Sequence, residues 1–182
     1  MNEKNIIKFL SKKIFIILLF FTPTAFAECN FKTGEYIEEL ANPSYIKKIE
    51  INVPNYRKYI INFVKIKAQH SKVIPTSLKK TFKSKIKVIY PFGTCEYTGK
   101  IKQHGDRTLD HITFNNSKPL RSLGVRLKDG NIMNAVRFKL FLPATRNFTN
   151  EILGALVLKE MGFIVPETFE VKVSLNNVES IM

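Results

Sequence analysis

The chain has 182 residues, 45% of them hydrophobic, and carries 29 Lys and Arg against 15 Asp and Glu, a formal net charge of +14. No repeat, low-complexity tract or long linker divides it, so a single domain with a proper core is expected, and the positive charge favours anionic partners. The basic residues form no arginine-rich run and come without zinc-finger spacing, which argues against specific nucleic-acid recognition.

At the N-terminus, Lys4, Lys8, Lys12 and Lys13 precede an unbroken apolar run, Ile14 to Phe21 (IFIILLFF), and Ala25-Phe26-Ala27 follows as a small-x-small site. This order is that of a secretory signal peptide over residues 1–27. Eight apolar residues span about 12 Å as a helix against about 30 Å of hydrocarbon, so no transmembrane anchor is expected after cleavage. The four Lys and one Glu within residues 1–27 take the net charge from +14 to +11 for the 155 residues that follow. An exported protein is expected, periplasmic, at the cell surface or secreted. Its two cysteines, Cys29 and Cys95, pair by default in such a compartment, two free thiols being the alternative.

Residues 28–45 read as an N-terminal extension and 46–182 as one α+β domain. IKKIEINV (46–53) alternates apolar and polar side chains as a strand does, and Pro54 ends it. From Asn55 the residues Tyr56, Tyr59, Ile60, Phe63 and Val64 recur at helical spacing, with a basic opposite face. SKIKVIY and CEYTGKIKQ flank Pro91 to Thr94 as a hairpin over 84–103. RSLGVRLK and IMNAVRFKLFL read as a second hairpin turning at Asp129-Gly130. Phe148, Ile152, Leu153, Leu156, Val157 and Met161 mark a helix capped by Asn147 or Thr149 and stopped at Gly162. TFEVKVSL (168–175), an Asn176-Asn177 turn and VESIM form a last hairpin that runs into the end of the sequence, so the domain is expected to be incomplete at its C-terminus. The fold class is α+β, antiparallel hairpins packed with two or three helices.

HGDRTLDH (104–111) gathers two of the three Asp and two of the three His of the chain. Three readings stand for it. His104, Asp106, Asp110 and His111 are suitable metal ligands, although their spacing matches no closed zinc pattern. His104, Gly105 and Asp106 also suit a phosphate or nucleotide loop, in which Gly105 permits close backbone approach. A structural loop, with its aspartates accepting backbone amides, is the third reading.

The run from Lys100 to Met182 resembles the CotH family of spore-coat and secreted proteins, which have an atypical protein-kinase fold. The resemblance lies in KIKQHGD, in KPLRSLGVRLKDG followed by VRFKLFLPATRN, in NEILGALVLKEMG, and in VKVSLNN. Where the family commonly has Arg-Gly-Asn-Ser after the first strand, this chain has His104-Gly105-Asp106-Arg107. The resemblance implies a nucleotide-binding lobe, with ATP and Mg²⁺ as cofactors, and places the family's metal-binding and catalytic Asp residues past residue 182. The chain as given would then be inactive alone. In such a lobe a strand Lys pairs with a Glu on the following helix. Arg137 and Lys139 share one face of their strand, and Glu151 on the next helix is the nearer partner, ahead of Glu160. Arg146 is a third cation. The same strand also reads as a basic edge that discourages aggregation.

Two function classes follow. One is an exported phosphotransferase lobe that binds nucleotide or phosphate. The other is a non-catalytic basic module for an anionic ligand, an acidic protein or another anionic partner at the cell surface.

Overall fold

A computed structural model describes residues 27–107, 112–115 and 118–182. Apart from Ala27, the expected signal peptide lies outside the described residues, as do Asp110 and His111.

Ten strands are described: β1 (Glu28–Cys29), β2 (Lys48–Asn52), β3 (Thr81–Tyr90), β4 (Gly93–Gln103), β5 (Ile112–Asn115), β6 (Lys118–Arg121), β7 (Leu123–Leu127), β8 (Arg137–Leu140), β9 (Lys172–Leu175) and β10 (Val178–Ile181). The helices are α1 (Ile37–Ala41), α2 (Tyr56–Lys67) and α3 (Asn150–Glu160). Eight of the described strands form one sheet in the order β10-β9-β2-β3-β4-β7-β8, with β1 added beside β4, while β5 and β6 make a separate hairpin. All neighbours are antiparallel except β2 and β9. The chain is therefore α+β, as expected.

Alternation along each strand decides what lies on either face of this sheet. Ile49 and Ile51 of β2, Ile86 and Val88 of β3, Tyr97 and Ile101 of β4, and Leu123, Val125 and Leu127 of β7 are all buried. The intervening Lys83, Lys85, Lys100, Lys102 and Arg126 are exposed. Helix α2 meets the apolar face through Tyr59, and its Phe63 and Ile66 are buried as well. The Tyr59 ring meets the edge of Phe82 at 5.4 Å between centroids. Each fully buried side chain of this kind contributes about 1.5–3 kcal/mol, so the apolar face carries the stability of the fold. The Asn55 carboxamide caps α2 by accepting from the Lys58 amide at 3.4 Å.

Strand β1 ties the N-terminal extension to the sheet. Cys29 lies directly opposite Cys95 of β4, and the two form a disulfide with their Cα atoms 4.0 Å apart.

Several sequence expectations shift. The β7–β8 hairpin reverses at Met133-Asn134, where both residues have positive φ and Ile132 pairs with Ala135. Asp129-Gly130 does not form the tip, because the Asp129 carboxylate turns back to accept from the Thr98 amide and hydroxyl, both at 2.8 Å. Asn176-Asn177 is a true two-residue turn, both left-handed, and Gly162 at φ 84° ends α3 as expected. Thr149 occupies the cap position of α3 but makes no capping hydrogen bond with its side chain. That helix buries none of its residues, since its apolar side chains go all the way round it and Leu153, Leu156 and Val157 stay exposed. The β5–β6 hairpin and α1 carry no strong periodicity and were not expected.

A cationic sheet face as the candidate functional site

Cross-strand register assembles what the sequence scatters. Lys83 of β3 lies opposite Lys100 of β4, Lys100 opposite Arg126 of β7, and Arg126 opposite Arg137 of β8. Four cations thus stand in one row across four adjacent strands, each step about 4.8 Å. The next row holds Thr81, Lys102, Gly124 and Lys139. With Lys85, seven basic side chains occupy this half of the outer face, all of them exposed. Among the described residues none of the seven has a carboxylate within 4.0 Å.

The remainder of the face is charge-balanced. Lys87 pairs with Glu96 at 3.5 Å, and Lys48 lies 3.0 Å from Glu50 and 2.9 Å from Glu179. The hydrogen bond from Lys48 holds the Glu179 carboxyl below its usual range, and the bonds to Glu179 and Glu50 raise the Lys48 ammonium. Among the described residues the cations without such a pair are therefore concentrated on β3, β4, β7 and β8, with Lys172 of β9 the further one on this face.

Of the residues singled out from sequence, the fold brings His104, Arg137 and Lys139 to this half of the sheet. His104 follows β4 directly, its amide donating to the Ser122 carbonyl at 2.7 Å and its ring meeting that of Phe141 at 5.1 Å. The Lys139 ammonium stands 5.9 Å from the centre of the same Phe141 ring. Gly105 has φ 105°, the conformation its lack of a Cβ permits. Asp106 is paired with Lys79 at 2.6 Å, and that hydrogen bond holds its carboxyl below the usual range. Glu151 lies on the first turn of α3. Arg146 ends the short helix Pro143–Arg146, and its side chain lies outside what is described. Among the described residues no group of three or more His, Cys, Asp and Glu gathers to hold a metal ion.

The loop after β4 is organised by a residue that sequence reading passed over. Arg121 is wholly buried. Its Nε donates to the His104 carbonyl at 3.0 Å and its Nη2 to the Arg107 carbonyl at 2.6 Å. The intervening Asp106 carbonyl accepts from the Ile74 amide at 2.7 Å. The backbone of 104–107 thus turns three carbonyls inward. The cationic rows were also missed. Their signal was present as lysines at alternate positions in two paired strands, Lys83, Lys85 and Lys87, then Lys100 and Lys102.

The fold and this face together describe an α+β protein with an unneutralised cationic sheet surface. Set against known protein families, curated proteins and solved structures, the chain matches none of them.

Proposed function

We propose that the protein is exported and binds a linear polyanion, a polymer of phosphate or sulfate groups at the cell surface, on the outer face of β3, β4, β7 and β8. The observation that carries this reading is the row Lys83, Lys100, Arg126 and Arg137. Like charges directly opposite one another on a sheet destabilise it, so a row of four without interleaved acid opposes folding and is offset when anions bind across it. No aromatic side chain stands among the cations of these two rows, and the stacking platform that single-stranded nucleic acid uses is therefore lacking there. The signal-peptide pattern of residues 1–27 and the Cys29–Cys95 disulfide support export. Among the described residues no helix is long and apolar enough to cross a membrane.

The test is titration of the protein with polyphosphate, with a sulfated glycan and with single-stranded DNA over a range of salt. Four contacts to a linear polyanion give a log–log salt slope of about −3. Lys100→Ala and Arg126→Ala are expected to weaken binding and flatten that slope. Equal affinity in both variants and the parent would refute the reading, and a preference for DNA would replace the partner named here.

A second reading is favoured by the convergence of His104, Arg137 and Lys139 on one region of the sheet. It is the nucleotide-binding lobe of a CotH-like kinase, in which these cations face the phosphates of ATP. The described residues supply no carboxylate cluster for Mg²⁺. Titration with ATP, with and without Mg²⁺, separates the two readings. Tighter binding of ATP than of polyphosphate, enhanced by Mg²⁺, supports the kinase-like lobe.

A further inference from the structure

Near the β3–β4 turn the N-terminal extension lies over the apolar face of the sheet. Phe31 packs edge-on against Tyr90 at 6.2 Å and against Phe92 at 5.0 Å, and Leu40 of α1 is half-buried against the core. The cover is incomplete. An open cavity of about 500 Å³ remains between the extension, the end of β3, the start of β4 and the tip of the β7–β8 hairpin. Ile37, Leu40, Tyr90, Tyr97 and Met133 are among its walls, and the Cys29–Cys95 disulfide lines it as well. Cavities that take small molecules are of this size, mostly apolar with a few polar groups.

Three features define what fits. No charged residue lines the cavity, although 24% of the chain is charged. Lys32 and Glu35, close by in the sequence, pair with each other at 3.5 Å. Second, the buried Tyr90 and Tyr97 hydroxyls hydrogen-bond to each other. One of their two protons joins the pair, and the other is left to donate. Asn131, also in the wall, already uses its side-chain carbonyl to accept from the Asn134 amide at 3.1 Å. Third, Met133 is held at φ 50°, a left-handed conformation that such a side chain rarely takes. Strain of this kind persists where the surroundings impose it, ligand clamps among them, and the flexible thioether adapts its shape to an apolar guest.

We infer that this cavity binds an uncharged, mainly apolar small molecule that carries a hydrogen-bond acceptor. The acceptor meets the free proton of the tyrosine pair, and the apolar body lies between Met133 and the N-terminal extension. An ion is disfavoured, because it would exchange water for walls that offer no counter-charge. Processing after Ala27 would remove that residue from the rim and widen the mouth in front of Gly130 and Tyr97. The site is independent of the polyanion reading, since Cys95 and Tyr97 face the opposite side of β4 from Lys100 and Lys102.

Three probes of one shape test it: 2-acetylnaphthalene, which has an acceptor; 2-ethylnaphthalene, which has none; and 2-naphthoate, which is charged. Each is titrated into the exported chain and followed by NMR at the Gly34 and Gly130 amides, with thermal unfolding as a check on folding. The ketone is expected to bind about five-fold tighter than the hydrocarbon, the contribution of one hydrogen bond. It should also bind at least about ten-fold tighter than the carboxylate, although the chain is strongly basic. The double variant Tyr90→Phe, Tyr97→Phe keeps both rings and removes both partners of one hydrogen bond, a change that is nearly neutral for folding. In it the ketone should lose its advantage over the hydrocarbon. Met133→Asn decides if the double variant does not fold. Asparagine accepts the same left-handed turn, and loss of the apolar wall should weaken ketone and hydrocarbon alike by about five-fold or more. Leu156→Gln, on the exposed face of α3, should leave both within about two-fold of the parent.

An absence of shifts at Gly34 and Gly130 in the parent overturns the cavity as a site. So does an equal loss in Leu156→Gln, which would place the probes on α3. Naphthoate binding as tightly as the ketone would mean that the positive surface and not the neutral cavity selects the ligand. A ketone advantage that survives in the folded double variant would refute the role of the tyrosine pair.

Discussion

Arg121 holds His104 in place from below: its guanidinium, wholly buried, donates to the His104 carbonyl at 3.0 Å and reaches on to the Arg107 carbonyl at 2.6 Å. A buried cation is tolerated only where its donors are met, and here backbone carbonyls meet two of them. Replacing Arg121 by Met would leave those carbonyls without this donor, and destabilisation of about 3 kcal/mol is expected. Arg121→Lys should recover little, because an ammonium cannot span both carbonyls as the planar guanidinium does. Urea denaturation measures both, and a change below about 0.5 kcal/mol in either would show that the loop does not depend on this residue.

The same arginine shows where sequence reading stops. Alternation in the strands and helical spacing in α2 could be read because burial on one face imposes them on the sequence. Nothing local distinguishes Arg121 from the exposed Arg126 five residues later, since burial of a charge is decided by which carbonyls the chain later folds around it. HGDRTLDH could be recognised as unusual from its composition, but the inward turn of its carbonyls depends on contacts to residues 74 and 121. The cationic face lay in between. Lysines at alternate positions in β3 and in β4 place each set on one face, yet the row across four strands needs the order β3-β4-β7-β8, which hairpin signals suggest only pairwise. The helix around Leu153 shows the opposite limit, since periodicity predicted the helix but not how little of it is buried.

Tyr59 is wholly buried against Phe82, and its hydroxyl has no hydrogen-bond partner among the described residues. An unmet buried hydroxyl opposes folding, so Tyr59→Phe, which keeps the ring contacts, is expected to stabilise the protein by about 1 kcal/mol. A rise in the urea midpoint at constant slope would bear this out. A loss of stability would mean that the hydroxyl is satisfied in solution, by a buried water or another group.

Burial also raises the Tyr59 and Tyr90 hydroxyls far above the ordinary tyrosine value. The unfolded chain ionises these groups near pH 10 while the folded chain keeps them protonated. Their contribution to stability is therefore complete below about pH 10 and is lost as the pH rises above it towards the raised folded values. Stability measured from pH 8 to 11.5 in the parent and in Tyr59→Phe isolates one of them, because the lysines titrate alike in both. The variant should lose less stability across the alkaline range, and identical curves would contradict the assignment.

The disulfide between Cys29 and Cys95 closes a separation of 66 residues and anchors β1 to β4. In the chain-entropy model a loop of this size contributes about 4 kcal/mol. The double variant Cys29→Ser, Cys95→Ser should fall by a comparable amount in urea denaturation. Cys95 is fully buried, so mild reduction of the folded protein is expected to expose Cys29 to alkylation before Cys95. Equal labelling of both would indicate that β1 leaves the sheet once the bond is broken.

Lys100 stands between Lys83 and Arg126, directly opposite each, with Arg137 one strand further on. Each like-charged cross-strand pair opposes folding by a few tenths of a kcal/mol, and an opposite charge in the same place would favour it. Lys100→Glu reverses two such pairs at once, and a gain of about 1 kcal/mol is expected at low salt, shrinking as salt screens the exposed charges. The same change places a carboxylate in the middle of the proposed binding row, so polyphosphate affinity should fall about ten-fold or more. Stability and binding are thus expected to move in opposite directions, which is the mark of residues retained for a ligand rather than for the fold. If Lys100→Glu destabilises the protein at low salt, the row contains interactions that offset its repulsion. If it stabilises the protein and leaves polyphosphate binding unchanged, the outer face is not where the polyanion lies.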